Sequence, residues 1–221
     1  MANKKSRTPP PPRPVQAPKR RYEPTASGFS RRSKLVGTAV AAALVAGIAI
    51  GLAVTRGGGS GDVAKSGDVA KSLAAAGCTF KTYPNLGQQH VSSLTAKVDY
   101  NSFPPTSGPH YAEPAPWNFY DSPIDSQVRG VHNLEHGGVV VQWGSGVPAA
   151  TVEQLRSFWQ ASPNGMLMAP LPRLGDKIAM TAWTHLARCR RFDESAFKAF
   201  RDAYRAKGPE RFPLSALQPG A

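Results

Sequence analysis

Apolar positions along the 221-residue chain change rhythm several times, and each change marks a boundary. Residues 35–55 read LVGTAVAAALVAGIAIGLAVT, 21 positions without a charge. At the helical rise this run spans about 31 Å, the thickness of a bilayer's hydrocarbon core, and predicts one transmembrane helix. Further on the runs shorten and alternate. Residues 78–83 and 94–100 read as short strands, 139–143 as an apolar β-rich strand and 177–184 as an alternating one. Thr151 with Gln154 has the spacing of a capping box ahead of the stripe Leu155, Phe158 and Trp159. Asp193 stands as the N-cap of a second helix, in which Phe197, Phe200 and Tyr204 recur at helical spacing and which Gly208-Pro209 ends. The expectation is a single small α+β domain with a mixed β-sheet and two main helices over residues 77–221, preceded by a disordered tail and one transmembrane helix.

Charge sharpens this organisation. The formal net charge is +13, from 27 Lys+Arg against 14 Asp+Glu, and residues 1–34 carry ten of the basic groups against Glu23 alone. The basic excess is a property of the tail, whereas a folded nucleic-acid-binding domain carries its basic stripe on the domain itself, so no nucleic-acid partner is expected. Arg31, Arg32 and Lys34 precede the apolar run and only Arg56 follows it closely. The positive-inside rule therefore sets the N-terminus in the cytoplasm and the C-terminal domain outside it, in a single-pass cell-membrane protein. A cleaved signal reads less well, because the run exceeds a signal's apolar stretch and no A-x-A site follows; it would export the same domain. The tail, with Pro9 to Pro12, Pro14, Pro18 and Pro24 among its basic groups, is expected to be disordered and to lie along the anionic inner leaflet. Gly47 and Gly51 form a G-x-x-x-G, common by chance in such spans. Residues 56–76 read as a linker, Gly-rich and then built on GDVAKS at 61–66 repeated at 67–72, whose consequence is reach from the membrane.

Both cysteines, Cys78 and Cys189, bracket the predicted domain in a compartment where disulfides persist, and they are expected to pair. No C-x-x-C motif suggests a redox role. Four of the five histidines, His90, His110, His132 and His136, fall within 47 residues, with Glu135 among them. Imidazole and carboxylate donors suit zinc, copper, nickel or iron, and outside the cytoplasm they replace the thiolates that disulfide chemistry consumes.

The blocks PPTSGPH, with Pro104, Pro105, Thr106, Ser107, Gly108 and His110, and VHNLEHGGVVVQW, with His132, Leu134, Glu135, His136 and Gly137, frame an aromatic-rich middle segment. On these motifs the chain resembles the bacterial family known as domain of unknown function 3105, over roughly residues 78–200. The resemblance implies a membrane-anchored or exported protein and carries no established activity. Family members often have Gly before the Tyr of the middle segment, where this chain has Asn118-Phe119-Tyr120.

The spacing of His132 and His136 makes opposite predictions for helix and strand. Four apart on a helical turn they share a face and can chelate one ion; in a strand they stand about 13 Å apart and cannot. A turn between Gly130 and Gly137-Gly138 would bring them together, with His110 closing a three-ligand site for zinc or copper. His90 and Glu135 are further candidates, Glu135 with its side chain turned away from the shared face. Against this, histidines beside glycine turns often bond only backbone carbonyls. Met166 and Met168 would share a strand face, where thioethers favour Cu(I) but core packing is the commoner role. His185 reads as packing near the disulfide. A hydrolase built on Ser107 and His110 with Asp121 or Asp125 lacks an inferable oxyanion hole, and no P-loop, G-x-G-x-x-G or G-x-S-x-G occurs. Three classes remain open: a metal-binding module, a non-catalytic interaction protein of the cell envelope and a metal-dependent enzyme.

Overall fold

The structure is a computed structural model that describes residues 60–220, with side chains described from Gly67 onward. The expected tail and transmembrane helix, 1–34 and 35–55, lie outside the described residues. Among the described residues no helix is long and apolar enough to cross a membrane.

Four helices, α1 (Ser60–Ala75), α2 (Gln127–Glu135), α3 (Ala149–Ala161) and α4 (Glu194–Tyr204), accompany seven strands. The strands are β1 (Thr79–Thr82), β2 (His90–Val91), β3 (His110–Tyr111), β4 (Val139–Trp143), β5 (Met166–Pro170), β6 (Ile178–Ala182) and β7 (His185–Cys189). Five form one mixed sheet in the order β1-β7-β6-β4-β5, and β2 and β3 pair separately. β4 and β5 are parallel, and α3 supplies the crossover that a parallel pair requires. The remaining pairs of the large sheet are antiparallel. The α+β class is as expected, with four helices among the described residues where two were anticipated.

Because side chains alternate along a strand, the sheet has two inner faces. On one, Val139, Val141, Met166, Met168, Ile178 and Met180 pack under Val69 and Leu73 of α1, Leu155 and Phe158 of α3, and Phe197 and Phe200 of α4. On the other, Val140, Leu167 and Ala169 meet Leu134 of α2 and the irregular segment carrying Ala115 and Trp117. Cys78 stands opposite Cys189 when the β1–β7 register is extended by one residue, and the two form the expected disulfide.

Three expectations need correction. The repeat is helical: Val69, Leu73 and Ala76 recur at i, i+4 and i+7 and are buried in the core, so the second GDVAKS copy belongs to the domain and the compact unit starts before residue 77. The strand expected at 94–100 is absent. Its alternation is real, with Leu94, Ala96, Val98 and Tyr100 half-buried, but the Ser93 hydroxyl accepts the Thr95 N–H and Ala96 N–H donates to Ser93 O, a local turn that competes with strand pairing. α3 begins at Ala149 with Pro148 as its N-cap, because the tight turn at Gly144 to Val147 delivers the chain early; Thr151 lies inside the first turn and caps nothing.

Candidate metal centre

The PPTSGPH block is a strap that delivers His110. Thr106 and Ser107 are buried, Thr106 O accepts the Thr184 N–H, and the Ser107 hydroxyl oxygen accepts the Leu86 N–H at 3.2 Å. Gly108 has φ of +118°, and a Cβ there would meet Leu86 Cβ at 3.0 Å, so the sharp turn needs glycine. Tyr100 donates its hydroxyl to Pro109 O at 2.7 Å, and burial pushes the Tyr100 phenol up to about 12. The next residue is His110, fully buried. In the parallel β2–β3 pair it stands directly beside His90, which is exposed, and their rings meet edge to face at 5.1 Å.

The second block folds as α2. Ser126 caps it, accepting the Val128 N–H and donating its hydroxyl to Leu94 O. The helix starts well before Gly130, which lies inside it, and it ends at His136 with Gly137 at φ of +87°. Its last turn divides the labour by direction. Leu134 enters the apolar core. Asn133 clamps the backbone of Ala115, donating to its carbonyl at 2.8 Å and accepting its N–H at 3.0 Å. His132 and Glu135, three apart, project towards His110.

The tautomers follow from the partners. His110 Nδ1 lies 2.9 Å from Gly108 O and His132 Nδ1 lies 2.7 Å from Tyr111 O. A carbonyl only accepts, so each Nδ1 carries a proton and donates, and each ring turns its Nε2 inward. Both Nε2 atoms point at Glu135 Oε2, at 2.9 Å from His110 and 4.0 Å from His132. The other oxygen, Oε1, accepts from the Gln88 amide at 2.8 Å. His90 stacks on His132 with centroids 5.5 Å apart. One ligand atom from each of His90, His110, His132 and Glu135 lies within 4.8 Å of all the others.

Burial holds His132 below the ordinary imidazole value, and the neighbouring His110 and His90 act in the same direction, against the Tyr111 carbonyl and Glu135. Burial also lowers His136, with His132 adding to the effect and Glu210 opposing it. Both rings are therefore held neutral, the form that coordinates metals.

The expected trio is divided. His110 and His132 converge, but His136 belongs to a different set: its Nε2 lies 2.9 Å from His132 Nε2 and 3.1 Å from Glu210 Oε2. Those three residues also bring ligand atoms within 4.8 Å of one another. Glu135, expected to turn away, lies at the centre of the cluster, because residues three apart on a helix share a face as those four apart do. Gln88 and Glu210 were not anticipated: Gln88 stands two residues before His90, a spacing that shares a strand face, whereas Glu210 lies far from every histidine in the sequence. Met166 and Met168 are core residues, and His185 stacks on both Phe80 and Tyr204, which also stack on each other, its Nδ1 donating to Trp183 O. The hydrolase arrangement does not form: Ser107 serves the backbone of Leu86, while Asp121 and Asp125 pair with Arg156 and Arg129 at the surface. In the middle segment, Asn118 Oδ1 accepts the Phe119 N–H and Phe119 forms an isolated parallel bridge to Met168.

A family model described as "Protein of unknown function (DUF3105)" matches residues 90–214, more than half of the chain, and spans both motif blocks and Glu210. No curated protein and no solved structure matches the chain.

Proposed function

The chain belongs to the DUF3105 family, and on that premise we propose that it is a membrane-anchored protein whose extracytoplasmic domain binds one transition-metal ion through His90, His110, His132 and Glu135. The observation that carries this reading is the pair of Nδ1–H bonds to Gly108 O and Tyr111 O. Metal-ligating histidines characteristically donate their other ring N–H to a carbonyl or carboxylate, which fixes the tautomer and aims the free nitrogen. Here two such rings aim lone pairs at one carboxylate oxygen, and acceptor faces acceptor unless a cation or proton lies between them. A proton on His110 would pair with Glu135 and one on His136 would serve His132 Nε2, but neither gives His90, stacked on His132 beside His110, a role.

Three imidazole nitrogens and a carboxylate oxygen suit zinc(II) or copper(II). The thioethers of Met166 and Met168 are committed to the apolar core, which takes away the Cu(I) argument. Four protein donors complete a tetrahedral shell, the composition of a site that holds metal, whereas catalytic zinc keeps a position for water. Localisation outside the cytoplasm is supported by the charge-free run at 35–55, by the basic residues before it and by the Cys78–Cys189 disulfide, which requires an oxidising compartment to persist.

The test is elemental analysis of the full chain, purified in detergent and dialysed after exposure to zinc or copper. One equivalent is expected, and His132→Gln, which removes a ligand, should weaken binding by more than the about 10- to 100-fold that losing a group that only orients a ligand costs. No retained metal, with unchanged thermal stability on metal addition, would sink the proposal and leave a non-catalytic envelope interaction domain as the better account.

A further inference from the structure

We propose that His136 and Glu210, together with His132, form an outer metal station that shares one donor atom with the inner cluster, so that a single ion passes between the two. This rests on the metal reading above and extends it to how the ion reaches and leaves the inner donors.

The shared atom is His132 Nε2. With Nδ1–H committed to Tyr111 O, this ring has one lone pair to offer, and it faces both Glu135 Oε2 and His136 Nε2. One lone pair serves one ion at a time. A single proton on His136 Nε2, shared between His132 Nε2 and Glu210 Oε2, accounts for both short contacts. An ion that replaces that proton meets two imidazoles and a carboxylate, a three-donor set weaker than the four donors inside. Side-chain exposure rises along the path, from 0% at His110 through 3% at Glu135, 7% at His132 and 16% at His136 to 48% at Glu210. His90, the exposed inner ligand, opens the cluster on the β2 side, and the outer station is the approach on the α2 side.

Glu210 is held there by construction. Its N–H donates to the backbone carbonyl of Glu135 at 3.1 Å, and Ala206 N–H donates to Gly137 O at 2.7 Å. Gly208 lies so close between them that a Cβ would come within 2.1 Å of Glu135 O. The segment after α4 is therefore docked on the end of the helix that carries His132, Glu135 and His136. Phe212 packs on the His136 ring with centroids 4.3 Å apart. These contacts fix the backbone of Glu210 beside the end of α2, from which its half-exposed carboxylate reaches His136 Nε2.

The test titrates the full chain with cobalt(II) alone, whose ligand-field spectrum reports the donor set. The wild-type chain should bind one equivalent. His110→Gln should keep that equivalent with affinity weakened by more than about tenfold, and adding Glu210→Gln should weaken it by more than about tenfold again and change the spectrum. Residual binding that ignores Glu210→Gln overturns the outer station, and so does a second tight equivalent in the wild type. A wild-type chain that binds no cobalt overturns instead the metal reading beneath it. If His110→Gln loses its native circular dichroism, Glu210→Gln alone decides, since that half-exposed position is removed from the core. Several-fold slower cobalt loading at unchanged stoichiometry supports the shared path, and an unchanged loading rate overturns it.

Discussion

The two faces of the central sheet are covered by different physics. On the α1/α3/α4 face the contacts are aliphatic and aromatic, with Phe158 edge-on to Phe197 and Phe80 between Phe200, Tyr204 and His185. On the α2 face the apolar patch is smaller, and beside it are buried Thr106, Ser107, His110, His132, Asn133 and Glu135. Apolar burial is non-directional and proportional to area, so it tolerates adjustment. A buried polar network does not, because each group left without a partner costs its full desolvation. Stability therefore resides mainly on the first face, and the fixed geometry that chemistry needs resides on the second.

The largest expected effect breaks the apolar face. Phe197→Ala removes a fully buried ring and should cost about 3–5 kcal/mol in chemical denaturation, while the protein that remains folded still binds metal. Removing the disulfide by Cys78→Ala/Cys189→Ala should cost about 2–4 kcal/mol by the same measurement. It too should leave metal affinity unchanged, since Cys78 and Cys189 pack in the apolar cluster of the opposite face. Asn133→Ala attacks the polar face: it leaves the N–H and C=O of buried Ala115 without partners and should cost about 1–3 kcal/mol. Here metal affinity should fall as well, because the clamp orients the helix that carries His132 and Glu135. An Asn133→Ala protein with unchanged metal affinity would erase the distinction between the faces.

Acid should expose both faces together. Burial holds His132, His136 and His185 each below the ordinary imidazole value. Between those lowered values and about 6.5 the unfolded chain binds more protons than the folded one, so stability rises with pH across that window. The contribution is complete above about pH 6.5 and is lost progressively as the pH falls below it. Denaturation midpoints measured across this range should decline towards acid, and His185→Phe, on the apolar face, should remove part of the decline without touching metal release. The smallest effect is at the surface. Arg129→Ala removes pairs to Glu113 and Asp125 and should shift stability by only about 0.5 kcal/mol.

How much of this was legible depended on which face an element serves. β4 reads as a strand because all five of its residues are buried and three are β-branched. The Asp193 cap and the stripe of α4 are local signals, and Asp193 does accept the Ala196 N–H. α2 was legible only as a turn, because its last residues are buried on every side and show no single stripe. β7 was missed because Arg188 interrupts its pattern while extending to Phe103 O. The histidine cluster was visible as composition, but its division into two sets was not. That division depends on the β2–β3 register, which aligns His90 with His110, and on Gly208, which brings Glu210 back from beyond α4. Neither pairing leaves a trace in local spacing.

The helical repeat of α1 has a consequence for how this domain can vary. A hexapeptide adds about 9 Å of helix and turns it by about 240°, so a repeat of that length is out of step with the helical turn on which α1 is built. The copy nearer the core supplies Val69 to it, and α1 begins one residue before the other. Gain or loss of one copy would therefore act as a vernier, shifting the start of the helix by a fixed step of length and azimuth while every contact beneath Leu73 stays as it is.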